Sequence, residues 1–215
     1  MAAPTEPVEV PNLESVGDGL PQAGCGPFER ADAARNRLKI LAAAEALFLE
    51  HGTDNVSMDA VAEAAGVGKG TLYRRFGDRS GLALAILDER EREFQEMLIR
   101  GAPPIGPGAP PLDRLIAFGD GVIGMLEKHG DLILAAQSGR AGARFQGPVY
   151  ATYRLHVRGL IGDLNPRLDD EYFADLLLAA LSAEMVNFWR GAVEMDDARM
   201  SCGFAQFVRT IANSG

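Results

Sequence analysis

The sequence predicts an all-α protein, and three observations lead to that fold class. Apolar residues recur three and four positions apart through most of the 215 residues, which is the spacing of one helix face. The stretches between these patterns carry the glycines, prolines and hydroxyl side chains that begin or end helices. We find no convincing alternation of apolar and polar residues, the pattern of a half-buried strand.

The first helix is predicted over residues 33–51. Its apolar side chains follow the spacing of one helix face: Ile40, Leu41, Ala44, Leu47 and Phe48. Gly52 ends this helix. The next helix is predicted over residues 58–65, because the hydroxyl of Ser57 can cap the free amides at its start.

A second short helix follows, and the two together have the dimensions of a helix-turn-helix. Gly66 supplies a permissive turn residue, and the helix that begins near Lys69 continues to Phe76 before Gly77 breaks it. In such a motif the second helix enters the major groove of DNA. A long, strongly charged helix is then predicted over residues 79–100.

The net charge of −9 argues against DNA binding until its distribution is considered, because DNA affinity depends mainly on lysine and arginine side chains that neutralise phosphates. Residues 1–29 carry five acids and no bases, and residues 81–215 carry 13 bases and 18 acids, whereas residues 30–80 carry eight bases and seven acids. Residues 69–79 contain only one acidic residue, Asp78. They contain four basic residues: Lys69, Arg74, Arg75 and Arg79. Any DNA contact is expected in this segment.

The start of the second short helix is predicted to contact bases. Residues at this end of a recognition helix face the groove, which places Lys69, Gly70 and Thr71 there. Gly70 allows close approach, and Thr71 can read a base edge. Leu72 and Phe76, one turn apart, are predicted to point inward.

Four further residues are candidates for contacts with the DNA backbone. Tyr73 and Arg74 fall on the outward side, where a phenol can bond a phosphate and a guanidinium can serve phosphate or guanine. Ser57 and Arg79 each stand at the start of a helix, where free amides favour anions.

Three stretches resemble the N-terminal domain of the TetR family of transcriptional regulators. They are ILAAAEALF at 40–48, VSMDAVA at 56–62 and GVGKGTLYRRF at 66–76. The resemblance implies a three-helix helix-turn-helix domain followed by a helical ligand-binding and dimerisation domain. It implies DNA-contact positions for Lys69, Gly70, Thr71 and Tyr73, and also for Ser57 and Arg74.

The chain is predicted to divide into three parts. Residues 1–28 contain five prolines with several acids, a composition typical of a disordered acidic tail. Residues 29–78 form the DNA-binding domain and residues 79–215 the ligand-binding and dimerisation domain. Residues 101–111 contain five prolines and three glycines, which predicts a linker without regular structure.

Beyond the linker, helical spacing continues to the end of the chain. Four helices are predicted there: residues 112–128, 149–161, 172–190 and 204–211. The short apolar run over residues 132–138 is interpreted as one more short helix.

Aromatic residues and a methionine in the second domain are candidates for an apolar ligand cavity. They are Phe118, Met125, Phe145, Tyr150, Tyr153 and Trp189. Plain core packing is the alternative for each of them. Four arginines can pair with an anionic ligand, although exposed arginines need no such role: Arg140, Arg144, Arg154 and Arg158.

A homodimer is predicted because the helix over residues 176–189 is apolar on nearly all its faces. On a monomer it would leave a large exposed apolar patch. The candidate interface residues are Leu177, Leu181, Phe188, Phe204, Phe207, Val208 and Ile211. They can form a four-helix interface between two subunits. Two recognition helices about 34 Å apart would then read an inverted repeat.

The run at 66–71 also resembles the end of the phosphate loop of nucleotide kinases. That loop follows a strand, and its lysine is followed directly by serine or threonine, where Gly70 stands here. The kinase interpretation is therefore rejected. Nucleotide binding by the purified protein would reopen it.

Metal binding and catalysis are not expected. His51, His129 and His156 are not spaced as ligands and are expected to be solvated or capping. Cys25 and Cys202 are far apart, which suggests neither a disulfide framework nor a zinc site. No catalytic constellation is visible, so we expect no cofactor and no enzyme. Without an apolar run of about 18 residues, a cytoplasmic protein is expected.

The sequence thus predicts a transcriptional regulator that binds an inverted-repeat operator as a dimer and responds as a repressor to an unknown small molecule. The ligand is expected to shift the helix that begins near Arg79. The alternative is a helical ligand-binding or interaction protein of the same fold without DNA binding.

Overall fold

The computed structural model describes residues 27–137, 145 and 147–214, and all regular structure in these residues is helical. The predicted all-α class is confirmed. The α-helices are α1 (Pro27–His51), α2 (Met58–Ala65), α3 (Lys69–Phe76), α4 (Arg79–Arg100), α5 (Pro111–Gln137), α6 (Pro148–Leu164), α7 (Asp170–Ala180), α8 (Ala183–Ala192) and α9 (Asp197–Ala212). The described part of the chain also contains a 3-10 turn, Thr53–Asn55, that was not predicted.

Some sequence predictions fall outside the described residues. These are the predicted tail up to residue 26, Cys25, Arg140 and Arg144. The chain divides into two units between Arg37 and Leu38, and, apart from where α1 begins, all that follows concerns the residues from Leu38 onward.

The two short helices begin and end where the sequence predicts. The Ser57 hydroxyl accepts a hydrogen bond from the Ala60 amide at 3.1 Å, which satisfies one of the free donors at the start of α2. Helix α2 ends because Gly66 takes the left-handed conformation, with φ of 63°, which glycine adopts at little cost. The Asp78 carboxylate accepts from the Gly81 amide at 2.8 Å and begins α4 in the same way.

Helices α1 to α3 and the first half of α4 enclose one hydrophobic core, here called the head cluster. Its members are Ile40, Leu41, Ala44, Phe48, Val56, Met58, Val61, Ala62, Ala65, Leu72, Phe76, Leu82, Ala83, Ala85 and Ile86. Leu72 and Phe76 are buried, which confirms the prediction that this face of α3 points inward.

A second hydrophobic core, here called the body cluster, is built from α4 to α9. It includes Phe94, Leu98, Phe118, Tyr153, Leu177 and Ile211. Helix α4 contributes to both clusters, with Leu82 and Ile86 in the head and Phe94 and Leu98 in the body. A movement of α4 within the body would therefore reach the head through a continuous helix.

Several helices differ from the sequence prediction. Helix α1 begins at Pro27, within the predicted tail, rather than at residue 33, and α9 begins at Asp197 rather than at residue 204.

The single helix predicted over 172–190 is two, because α7 ends at Ala180 and the Ser182 hydroxyl accepts from the Met185 amide at 3.2 Å to begin α8. The separate short helix over 132–138 is wrong, since helix α5 continues without a break to Gln137.

The proline-rich segment between α4 and α5 has no regular structure, as predicted, and is folded in turns. Ile105 packs on the body cluster, to which the flanking Leu98 and Leu115 also belong. The segment therefore connects two helices of one core. The predicted domain boundary at residue 79 stays a prediction.

Candidate nucleic-acid interface and ligand cavity

Helix α3 has one buried and one exposed face. Leu72 and Phe76 anchor it in the head cluster, and this leaves Thr71, Tyr73 and Arg74 exposed. Tyr73 presents 49% of its surface, a large fraction for an aromatic side chain. The arrangement gives a rigid helix with a polar, aromatic and cationic surface, which suits phosphate and base-edge contacts.

The start of α3 is open. A Cβ placed on Gly70 would meet no heavy atom within 4 Å, so no described part of the chain covers this position. Lys69 beside it is exposed, and its ammonium donates to the Asp59 carboxylate on α2. That hydrogen bond, together with the charge of Asp59, raises the pKa of Lys69.

Arg79 is held in a similar way. Its guanidinium donates to the Asp54 carbonyl at 2.6 Å and to the Asp54 carboxylate at 3.0 Å. By contrast, Arg74 and Arg75 form no ion pair with any residue that the structure describes. The predicted DNA-contact residue Ser57 is exposed, but its hydroxyl oxygen already accepts the capping bond of α2.

The phosphate-loop alternative does not fit the surrounding structure. The segment before Gly66 is helix α2, where a phosphate loop would follow a strand. Gly68 caps the eight-residue helix α3 with extended backbone, φ −68° and ψ 136°.

The body contains a cavity of about 280 Å³ between α4, α5, α6 and the α7–α8 junction. Its lining is Leu84, Leu87, Asp88, Glu91, Val122, Met125, Leu126, Ile133, Val149, Tyr150, Tyr153, Leu178, Leu181, Ser182 and Ala183. The volume is near the lower end of the range for small-molecule sites.

The structure places some of the six predicted ligand residues at the cavity and the others elsewhere. Met125, Tyr150 and Tyr153 line the cavity. Phe118 lies behind Tyr153 with ring centroids 5.2 Å apart, and the exposed Phe145 contacts Tyr150 edge to face. Trp189 lines a separate groove between α8 and α9.

Two acidic residues of the cavity, Asp88 and Glu91, were missed by the sequence reasoning. Glu91 accepts hydrogen bonds from the Tyr153 hydroxyl at 2.9 Å and the Gln95 amide at 3.0 Å. Burial raises the pKa of Glu91, and it also raises the pKa of Tyr153. The sequence contains a pattern that could have indicated them. One helix face carries, at spacings of three and four, Leu84, Leu87, Asp88 and Glu91.

Most of the predicted dimer residues are buried in the chain's own core. Leu177, Leu181, Phe204, Val208 and Ile211 belong to the body cluster. Phe188 and Phe207 are 56% and 37% exposed. The exposed apolar residues of α8 and α9 are therefore available to a partner, whereas the five buried ones support these helices from within.

His129 is buried and His156 is half-buried, although both were expected to be solvated or capping. The Nε2 atom of His129 is 3.1 Å from Glu45, which also accepts from Arg90 at 2.8 Å. Burial lowers the pKa of His129. His156 lies against Phe118 with ring centroids 5.8 Å apart, and burial together with the charge of Arg114 lowers its pKa to about 4. His51 is exposed, as expected.

Arg154 and Arg158 on α6, which were predicted as possible partners of an anionic ligand, pair with acidic side chains of the chain itself. Arg154 donates to Asp175 at 2.7 Å and 3.1 Å, and Arg158 pairs with Glu171 at 3.0 Å. The Tyr150 hydroxyl donates to the same Asp175 at 2.7 Å. These contacts link α6 to α7 beside the cavity.

The described residues hold no group of three or more His, Cys, Asp or Glu side chains arranged to bind a metal ion. Within the same ranges, no helix is both long and apolar enough to cross a bilayer.

The structure thus combines a helix-turn-helix that has an exposed polar face with a cavity-containing body, and helix α4 joins the two. Residues 40–86 match the family described as bacterial regulatory proteins, tetR family. An HTH-type transcriptional regulator of Staphylococcus aureus (strain bovine RF122 / ET3-1) is 45% identical over 65 residues, 30% of this chain. The matched region is 35% of that relative. The similarity to the tetR family thus concerns residues 40–86, and the chain spans about a third of the relative that it matches.

Solved structures share the fold over most of the chain. A TetR-like transcriptional regulator from Rhodococcus sp. RHA1 is 24% identical with a TM-score of 0.54, covering 84% of this chain and 98% of its own. The regulator FadR from Bacillus subtilis, in complex with stearoyl-CoA, is 16% identical with a TM-score of 0.57, covering 80% and 96%. At such identities the likeness concerns the fold.

Proposed function

We propose that this chain is a transcriptional regulator that binds operator DNA through α3 and is released from it by a small molecule bound in the body. The observation that carries the proposal is the exposed face of α3 on its buried Leu72 and Phe76 anchors. The match of residues 40–86 to the tetR family supports the same role.

The proposed DNA contacts are distributed along the start and outer face of α3. Lys69, Gly70 and Thr71 enter the major groove, and Tyr73 and Arg74 contact the flanking backbone. Ser57 and Arg79 contribute at the starts of α2 and α4. Binding would separate Lys69 from Asp59 and Arg79 from Asp54, since a base edge or a phosphate of the DNA would replace each carboxylate.

The acting form is proposed to be a homodimer. Exposed apolar residues on the last two helices, Met185, Phe188 and Phe207, support this proposal, because exposed apolar surface of this kind is typical of interfaces. Two-fold symmetry gives an inverted-repeat operator with half-sites about one turn of DNA apart.

The ligand is proposed to act through α4. Leu84, Leu87 and Glu91 on this helix line the cavity, while Leu82 and Ile86 on its other side belong to the head cluster. A coupling of about 1–3 kcal/mol would change operator affinity by about 5- to 150-fold. We propose a cytoplasmic repressor without enzymatic activity or cofactor.

The alternative, a helical binding protein without DNA recognition, leaves the exposed surface of α3 unexplained. Selection from random double-stranded DNA with the purified full chain distinguishes the two. We expect an inverted repeat to be enriched by the unaltered chain and lost in the double variant Lys69→Ala, Tyr73→Ala. Failure of the unaltered chain to enrich any inverted repeat would favour the alternative.

A further inference from the structure

The cavity in the body has an uneven charge distribution. Among the described residues that line it, Asp88 and Glu91 are acidic, and none is a lysine, arginine or histidine. The remaining lining residues are apolar except for Tyr150, Tyr153 and Ser182. A bound molecule would therefore meet an apolar surface with acid on one side.

Among the described residues, Glu91 has neutral hydrogen-bond donors but no cationic partner. Its two oxygens accept from Tyr153 and Gln95. The neighbouring cations on α4 are engaged elsewhere, since Arg90 pairs with Glu45 and Glu93, and Arg92 pairs with Glu89. A partly buried carboxylate without a counter-charge is costly, and a cationic group in the cavity would offset that cost.

The other polar groups of the lining already have partners. The Tyr150 hydroxyl donates to Asp175, which Arg154 also holds. The Ser182 hydroxyl caps α8. Asp88 is exposed and has no hydrogen bond or ion pair with a residue that the structure describes. Each oxygen of Glu91 has one donor and can accept a second, so the carboxylates of Glu91 and Asp88 are the acidic groups that remain for a ligand.

We propose that this cavity binds an apolar molecule that carries a protonated amine, with the ammonium on the Glu91 carboxylate and the apolar part against Val122, Met125 and Leu178. An anionic molecule of the same size would meet two carboxylates and none of the basic side chains that the structure describes. Asp88, near the mouth of the cavity, favours entry of a cation through the same charge. The inference rests on the proposed role of this cavity as the effector site.

Three probes with one carbon skeleton test the proposal: phenylbutylamine, phenylbutanol and phenylbutanoate. Their affinities for the purified full chain are measured by titration calorimetry at about pH 7, where the amine is protonated. We expect the amine to bind about tenfold or more tighter than the alcohol, because its hydrogen bond to a carboxylate is charge-assisted. The carboxylate probe is expected to bind weakest.

Two variants locate the effect. Glu91→Gln keeps the size of the side chain and one acceptor oxygen but removes the charge, so affinity for the amine should fall about tenfold while affinity for the alcohol stays unchanged. Glu96→Gln is the matched control, because Glu96 lies on the same helix and pairs with the exposed Arg100. It should leave all three affinities unchanged.

Three results would overturn the proposal: equal affinity for amine and alcohol, unchanged amine binding in Glu91→Gln, or no binding of any probe. If Glu91→Gln does not fold, the ranking of the probes on the unaltered chain decides. Operator binding is measured separately, without probe. An amine-binding chain that selects no DNA would refute the proposed function and leave the ligand class standing, and the reverse result would refute only the ligand class.

Discussion

The head and the body of this protein differ in where their charged and titratable side chains lie. Every side chain of the head cluster is apolar, and the charged residues Lys69 and Arg79 lie outside it in pairs with neighbouring acids. The body buries or half-buries titratable groups, among them Glu91 and His156, against its aromatic core. A DNA backbone offers the same charges at every site and suits exposed cations on a rigid support. A ligand cavity needs polar groups inside the fold.

The strongest test of this comparison is at Glu45, which joins the two regions. Glu45 on α1 accepts two hydrogen bonds from Arg90 on α4 and is close to the buried His129 on α5. Replacing Glu45 by alanine should lower the free energy of unfolding by about 2–4 kcal/mol, because it leaves partly buried donors without their acceptor.

The control for this prediction is Glu96→Ala, which breaks an exposed pair with Arg100 on the same helix as Arg90. It should cost less than about 0.5 kcal/mol. Urea unfolding of both variants measures the difference. Equal losses would mean that the Glu45 network is no more important than a surface pair.

A second prediction sharpens the description of the body as a tightly packed core. A Cβ on Gly119 would lie 2.2 Å from a ring carbon of Phe204, which is itself buried. Gly119→Ala should destabilise the protein by about 1–3 kcal/mol through overpacking between α5 and α9.

Gly124 supplies the matched control on the same helix. A Cβ there meets no heavy atom within 4 Å, so Gly124→Ala should stabilise the protein by about 0.5–1 kcal/mol through helix propensity. Thermal unfolding of the two variants should therefore shift in opposite directions. Shifts in the same direction would contradict the packing described for Gly119.

The third prediction concerns acid sensitivity, which should originate in the body. The pKa of His156 is lowered from 6.5 to about 4 by burial and by the charge of Arg114, so the unfolded chain binds a proton that the folded chain does not. Stability is complete above about pH 6.5 and falls as the pH drops toward 4. At about pH 5 the loss due to His156 should be about 1–2 kcal/mol.

His156→Phe tests this assignment, because phenylalanine keeps an aromatic ring beside Phe118 and does not titrate. Unfolding in urea at about pH 7 and pH 5 should show a smaller loss for the variant than for the unaltered chain. Glu91 acts in the opposite sense, since its raised pKa favours the folded state as it protonates, but it is present in both chains. An unchanged pH dependence would assign the sensitivity to another group.

The smallest predicted effect is at Asp59 in the head, whose carboxylate holds Lys69. Asp59→Asn should raise operator affinity about two- to fivefold, because it releases Lys69 and removes a negative charge beside the phosphates. Asp113→Asn, also in the first turn of a helix and exposed, should leave affinity unchanged. Fluorescence anisotropy with a selected operator fragment measures both.

The sequence was most informative where local signals decide the structure. Ser57, Gly66 and Gly77 act within a few residues of the chain, so the ends of α2 and α3 could be predicted. The outward position of Tyr73 followed from the helical spacing of Leu72 and Phe76.

The rest depends on contacts between distant parts of the chain. His129 is buried because Glu45, far away in sequence, comes close to it, and no local pattern reports that. Glu91 was hidden within a helix that looks like a charged surface until its partner Tyr153 on α6 is known. The break between α7 and α8 had a local signal, Ser182, which the apolar run around it concealed.

The central claim, that the exposed face of α3 binds DNA, is tested most directly by the operator affinities of Lys69→Ala and Tyr73→Ala. Both should bind a selected inverted repeat about tenfold or more weakly than the unaltered chain. Lys69→Ala should also reduce the salt dependence of binding by about one counterion if Lys69 contacts a phosphate. Arg100→Ala, an exposed base on α4 outside the head cluster, should bind as the unaltered chain does. Unchanged affinity in both α3 variants, or an equal loss in Arg100→Ala, would contradict the claim.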